Sequence, residues 1–170
     1  ALKSTTTGTS NVAVGLQSGH SNTTGHSNTA IGETALYANT TGQRNTASGY
    51  RALFNNTTGS GSVALGACAL CGNTTAGNNT AVGVMAMECN TTGVENVAIG
   101  NSAMKCNTGC SNNVAVGMSA LTVSISGDHM TAIGTNSLCE NTTGTKNTGL
   151  GAYTMAKNTT GCFNTGLGYI

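Results

Sequence analysis

Nine asparagines in this chain open an Asn-Xaa-Thr triplet, the acceptor pattern for N-linked sugar when it sits on an exposed turn. Seven of them begin Asn-Thr-Thr: Asn22, Asn39, Asn56, Asn73, Asn90, Asn141 and Asn158; Asn55 and Asn78 supply the other two. One reading is a sugar-coated fibre. The other is that these amides stack in a buried corner that no transferase reaches. Cysteine is the second reactive type. Cys89 and Cys106 are 17 residues apart, Cys68 and Cys71 form a Cys-Xaa-Xaa-Cys, and Cys110, Cys139 and Cys162 complete seven. Cys71 competes with Cys106 as the partner of Cys89. A zinc site needs four converging ligands, and no stretch supplies them. The histidines (His20, His26, His129) and the five acids (Glu33, Glu88, Glu95, Asp128, Glu140) are scattered. None forms the acid–base pair that hydrolytic or transfer chemistry needs. The expectation is a chain with no catalytic residue, no metal and no cofactor.

Composition narrows the class further. Charged residues are 6% of the chain and the formal net charge is +1, against about 25% charged in an ordinary soluble protein. That argues against nucleic acid or an anionic membrane surface as partner. No apolar run approaches the ~18 residues of a membrane span. The cysteine content fits an oxidising, extracellular or cell-surface setting.

The element that must position all these residues is a repeat. Asn11-Val12-Ala13-Val14-Gly15 returns as Asn28-Thr29-Ala30-Ile31-Gly32, and again from 45, 62, 79, 96, 113, 130, 147 and 164, always 17 residues on. Such strict register marks a stacked structure. With the motif start as position 0, position 4 is glycine in all ten copies: Gly15, Gly32, Gly49, Gly66, Gly83, Gly100, Gly117, Gly134, Gly151 and Gly168. Those glycines read as structural turns with positive φ, and Asn-Thr-Thr-Gly at positions 11 to 14 reads as a second corner. Position 3 is aliphatic in nine copies, position 8 is Leu or Met in nine, and position 2 is Ala in eight. Positions 0 to 4 therefore predict a short strand whose positions 1 and 3 share one face. The fold class expected is all-β: one parallel β-solenoid or β-roll over residues 1–170, ten 17-residue rungs long, on the order of 48 Å at ~4.8 Å per rung.

Stacking has consequences at each position. Asn columns at positions 0 and 11 can run amide ladders along the axis. Cys89 and Cys106, both at position 10 of adjacent rungs, fall within disulfide reach. Positions 3 and 8 are the expected core. That leaves the Ala column as a smooth outer face for another chain, with a tight monomeric interior as the competing placement. A homotrimer is the leading assembly. The chain runs from position 7 to position 6, which also allows a head-to-tail filament.

The segments Asn28–Gly32 and Asn96–Gly100 resemble the head repeat of trimeric autotransporter adhesins. The resemblance implies a trimer of parallel β-rolls that binds host or environmental surfaces, including glycans and matrix. The period here is 17 and not about 14, and the Asn-Thr-Thr-Gly corner and the cysteines are departures from that repeat. The function expected is a structural, non-catalytic subunit of an extracellular fibre or adhesin rod. A phage or virus tail-fibre segment is one alternative. An ice-binding solenoid, using the Thr columns at positions 12 and 13, is another.

Overall fold

A computed structural model describes residues 1–170. Ten three-residue strands lie in chain order: β1 (Val12–Val14), β2 (Thr29–Ile31), β3 (Thr46–Ser48), β4 (Val63–Leu65), β5 (Thr80–Val82), β6 (Val97–Ile99), β7 (Val114–Val116), β8 (Thr131–Ile133), β9 (Thr148–Leu150) and β10 (Thr165–Leu167). They form one parallel sheet in sequential order. Register is strict: Ala30 pairs Ala47 and Ala98 pairs Ala115, so each residue sits above its equivalent 17 positions earlier. The fold is a β-solenoid with the period read from the sequence.

The strands are the smaller part of the ladder. Of 113 backbone hydrogen bonds, 95 lie outside the strands, so the turns and corners hold the rungs together. Two tight turns close one side. The amide of Ala35 donates to the carbonyl of Gly32 at 3.3 Å, and that of Asn56 to Leu53 at 3.2 Å. Glycine at position 4 is required twice over. Its φ is between 114° and 135° in all ten copies, and a Cβ on Gly66 would meet the Gly83 carbonyl oxygen at 2.5 Å.

The interior reverses one expectation. Position 2 points inward: Ala47, Ala64, Ala81, Ala98, Ala115 and Ala132 are 0% exposed. Position 3 points outward: Ile31 is 42% exposed, Leu65 38%, Ile99 41% and Ile133 41%. The Ala column is therefore core, and it cannot be a lateral contact. The cause is width. Position 7 alanines and position 8 Leu or Met come from the facing wall and fill the space, as with buried Ala69, Leu70, Ala86 and Met87. A Cβ added to Gly149 would already meet Ser137 Oγ at 2.6 Å and the Leu138 side chain at 3.2 Å. Nothing larger than a methyl group fits opposite that wall, so the bulky strand residues face out.

Candidate functional site

The asparagines of the sequons are structural in the folded rod. Asn22, Asn39, Asn56, Asn73, Asn90 and Asn141 are at most 1% exposed, and Asn158 is half-buried. Their side chains run a ladder along the axis. Asn39 Nδ2 donates to Asn22 Oδ1 at 2.8 Å, Asn56 to Asn39 at 2.9 Å and Asn73 to Asn56 at 2.8 Å. Each also donates within its own rung to the carbonyl three residues on, as Asn56 does to Gly59 at 3.0 Å. Both amide hydrogens are thus committed in Asn39, Asn56, Asn73, Asn90 and Asn158, and one of the two in Asn22 and Asn141. Sugar could reach these nitrogens only while the rung is open. Asn55 and Asn78, by contrast, are exposed.

The position 0 column is a second clamp. Asn45 Nδ2 donates to that same Gly59 carbonyl at 2.8 Å, while its Oδ1 accepts the backbone amide of Ser62 in the next rung at 3.0 Å. Two buried asparagines therefore converge on one carbonyl in each consensus rung. Ser62, Ser124 and Met130 interrupt these columns. At Met130 the ladder falls back on a thioether, with the Asn147 amide 3.4 Å from the sulfur.

The threonines divide. At position 12 the hydroxyls of Thr6, Thr23, Thr40, Thr57, Thr74, Thr91 and Thr142 all donate to the carbonyl one rung on. These hydroxyls are not free to order water. The neighbouring Thr24, Thr41, Thr58, Thr75, Thr92, Thr143 and Thr160 at position 13 are exposed.

Cysteine chemistry is muted. All seven cysteines are free thiols, so the expected Cys89–Cys106 bridge is not formed. Position 10 does stack the two: the Cys89 amide donates to Lys105 and the Cys106 amide to Thr122. Burial, then the neighbouring Cys106 thiol, raises the pKa of Cys89. The nucleophile in disulfide formation is the thiolate, which this shift suppresses. Burial, with Cys68 beside it, pushes Cys71 up to about 12. Cys162 moves the other way, lowered by the amide of Thr145, which donates to its sulfur at 3.3 Å.

The charged and aromatic residues form short columns along the outside. His20 stacks on Tyr37 at 5.0 Å and Tyr37 on Phe54 at 5.2 Å, with Arg51 4.4 Å above the Phe54 ring. Lys105 pairs with Glu88 at 3.4 Å, and Lys157 with Glu140 at 2.5 Å. No three His, Cys, Asp or Glu side chains are grouped so as to hold a metal ion.

What stands out is the outer face of the sheet. Positions 1 and 3 of all ten rungs carry only Val, Thr, Ile, Leu and one Ser. The adjoining position 5 adds exposed Leu16, Tyr50, Val84 and Met118, with Glu33 the one charge. The result is an almost uncharged apolar strip along the whole solenoid. Contiguous exposed strips of this kind mark contact surfaces. The sequence expectation placed the lateral contact on the position 2 alanines, whereas the exposed residues are those of positions 1 and 3. Comparison with protein-family models, curated proteins and solved structures gives no match for this chain.

Proposed function

We propose that this chain is a structural, non-catalytic segment of an extracellular fibre, in which copies pack side by side through the β1–β10 face. The observation that carries the reading is that strip: free of charge at positions 1 and 3, aliphatic at position 3 in nine rungs, partly to fully exposed, and continuous over ten rungs. Three parallel copies around an axis along the rod bury one narrow strip from each. Parallel copies also match rung to rung, because each repeats at the same ~4.8 Å. This is the arrangement that the likeness of the Asn-Xaa-Ala-Ile/Val-Gly segments to trimeric adhesin heads implies. Adhesive contacts then fall to the outward variable positions, of which the His20–Tyr37–Phe54 stack with Arg51 is the densest group.

Sedimentation equilibrium of the purified chain tests this. The expected mass is three times the 16.8 kDa of one chain. Placing lysines on the strip (I31K, L65K, I99K and I133K together) is expected to leave a folded monomer. A wild-type chain that remains a 16.8 kDa monomer at all concentrations overturns the lateral packing.

A further inference from the structure

One corner of the solenoid is built differently from the rest. In the rungs around it, the position 12 carbonyl receives donors from the rung before. Thr40 oxygen accepts the amides of Thr23, Thr24 and Gly25 at 3.0 to 3.2 Å, and the Thr23 hydroxyl at 3.0 Å. Thr108 oxygen accepts the amides of Thr91 and Thr92 and the Thr91 hydroxyl. The Ile125 carbonyl accepts nothing: neither the Thr108 amide, nor the Gly109 amide, nor the Thr108 hydroxyl reaches it. The turn bond from position 11 back to position 8, present from Asn22 to Asn107 and again at Asn141 and Asn158, is missing at Ser124. The side-chain ladder fails at the same level. Asn107 stretches to 3.5 Å from Asn90, and Ser124 offers no amide to continue it.

The cause lies at position 14. A Cβ there meets the carbonyl of the next rung: on Gly25 it would sit 2.4 Å from Gly42 oxygen and 2.3 Å from Asn22 Oδ1. Two rungs nevertheless carry a side chain at this position, Ala76 and Cys110. The effect is graded. Over Ala76 the corner survives but lengthens, with the Thr74 amide and hydroxyl 3.4 and 3.3 Å from Thr91 oxygen. Over the larger Cys110 the bonds to the position 12 carbonyl are lost, and the two corners are joined instead by the Ser111 amide donating to Asp128 Oδ1 at 2.7 Å and the His129 amide donating to the Ser111 carbonyl at 3.4 Å. The Cys110 side chain occupies the interior, 2% exposed, with the Ser124 hydroxyl donating to its sulfur at 3.4 Å. Serine at 124 leaves the room that an asparagine would take.

The other walls at this level are intact. Val97 donates to Asn113 at 2.8 Å, Gly117 to Ile99 at 2.8 Å and Met104 to Ala120 at 2.9 Å. We propose that the corner Asn107–Ser111, stacked against Ser124–Asp128, is a hinge built into the rod. It opens locally while β6 and β7 stay paired and the rungs on either side stay closed. Opening uncovers Cys110 and lets the rod bend toward the sheet side.

Hydrogen exchange of the full chain, read by mass spectrometry, tests this together with maleimide labelling of Cys110. The Thr108 and Gly109 amides have no acceptor in the closed corner and exchange fast whether or not it opens. Opening is therefore read at Ser111, whose amide donates to Asp128 Oδ1 at 2.7 Å and is expected to exchange at least ~10-fold faster than those of Thr91 and Thr92, as local opening below the global stability allows. Cys110 is expected to label at a rate insensitive to low denaturant. The variant C110G/S124N/I125T restores the consensus corner, and its 108–109 amides should slow to the rate of 91–92. Protection of Ser111 equal to that of Thr91 and Thr92 in the wild-type chain overturns the hinge. So does Cys110 labelling that follows global unfolding in its denaturant dependence.

Discussion

Ser137 and Thr154 show how tightly single side chains are matched. Position 7 faces position 2 of the next rung, and where position 7 grows from Ala to Ser137 or Thr154, position 2 shrinks to Gly149 or Gly166, whereas Ser18, in the first full rung, keeps Ala30 opposite it. G149A alone should cost about 1–3 kcal/mol as overpacking. Combined with S137A it should return close to wild type, a coupling that a double-mutant cycle of thermal melts measures. Backbone strain is also assigned residue by residue. Twenty-eight non-glycine residues have positive φ, in columns at positions 6, 8 and 16. Thr34, at φ 55°, is the β-branched case within the array, Ile170 being the other at the chain end, and its conformation is among the least favoured. Thr34→Asn, which tolerates this region, is expected to raise stability by ~0.5–1 kcal/mol by the same measurement. The thiols give a pH prediction. Alkylation at pH 8 should modify Cys162, whose pKa is lowered, before Cys71, whose pKa is about 12. Since burial raises Cys71 above its unfolded value, the folded state favours the protonated thiol. That contribution is whole below the unfolded pKa of roughly 8.5 and is lost as pH climbs through about 12.

At the scale of the element, the unit is the rung and its two asparagine clamps. Met130 lies 1% exposed in a column built for asparagine. Met130→Asn should restore the amide ladder between Asn113 and Asn147 and stabilise the chain by ~1 kcal/mol. The reverse defect, Asn56→Ala, removes the donor to Gly59 and to Asn39. It should cost about 1–3 kcal/mol, because Asn39 Oδ1 and an amide hydrogen of Asn73 are left unpaired in the interior, while Gly59 keeps its bond from Asn45. A fall in melting temperature for N56A smaller than for an exposed control such as Asn55→Ala would contradict this account. The rung itself was legible in the sequence, because a stacked structure forbids insertions and so preserves the 17-residue count. The left-handed columns were not. Position 8 shows Leu or Met, and positions 6 and 16 show Arg, Cys, Glu and Phe as freely as Asn or Gly. Tertiary stacking imposes positive φ there without any residue type announcing it.

For the whole molecule, alternation told that positions 1 and 3 share a face, but not which face is inside. That depends on the distance between opposite walls, which only the packed Ala, Leu and Met columns reveal. Once the small residues are placed inside, the sequons change meaning, since the asparagine of each Asn-Thr-Thr corner faces the interior. The same inversion moves the lateral contact from alanine to the aliphatic strip, and it gives the ice-binding alternative no support from position 12, whose hydroxyls are bound within the chain.

The inter-rung backbone bonds span only 15 to 18 residues of sequence, as in Gly25 to Thr40, Val12 to Asn28, Thr23 to Thr40 and Gly32 to Val14. Every loop that must close during folding is therefore short and of one size, however long the array. Loop-closure entropy is the same for each added rung, and stability accumulates by nearest-neighbour increments. Such a chain can fold vectorially, each finished rung serving as the template for the next as it leaves the ribosome. Its folding time should then grow roughly in proportion to rung number, not steeply with length as for sheets that pair distant segments.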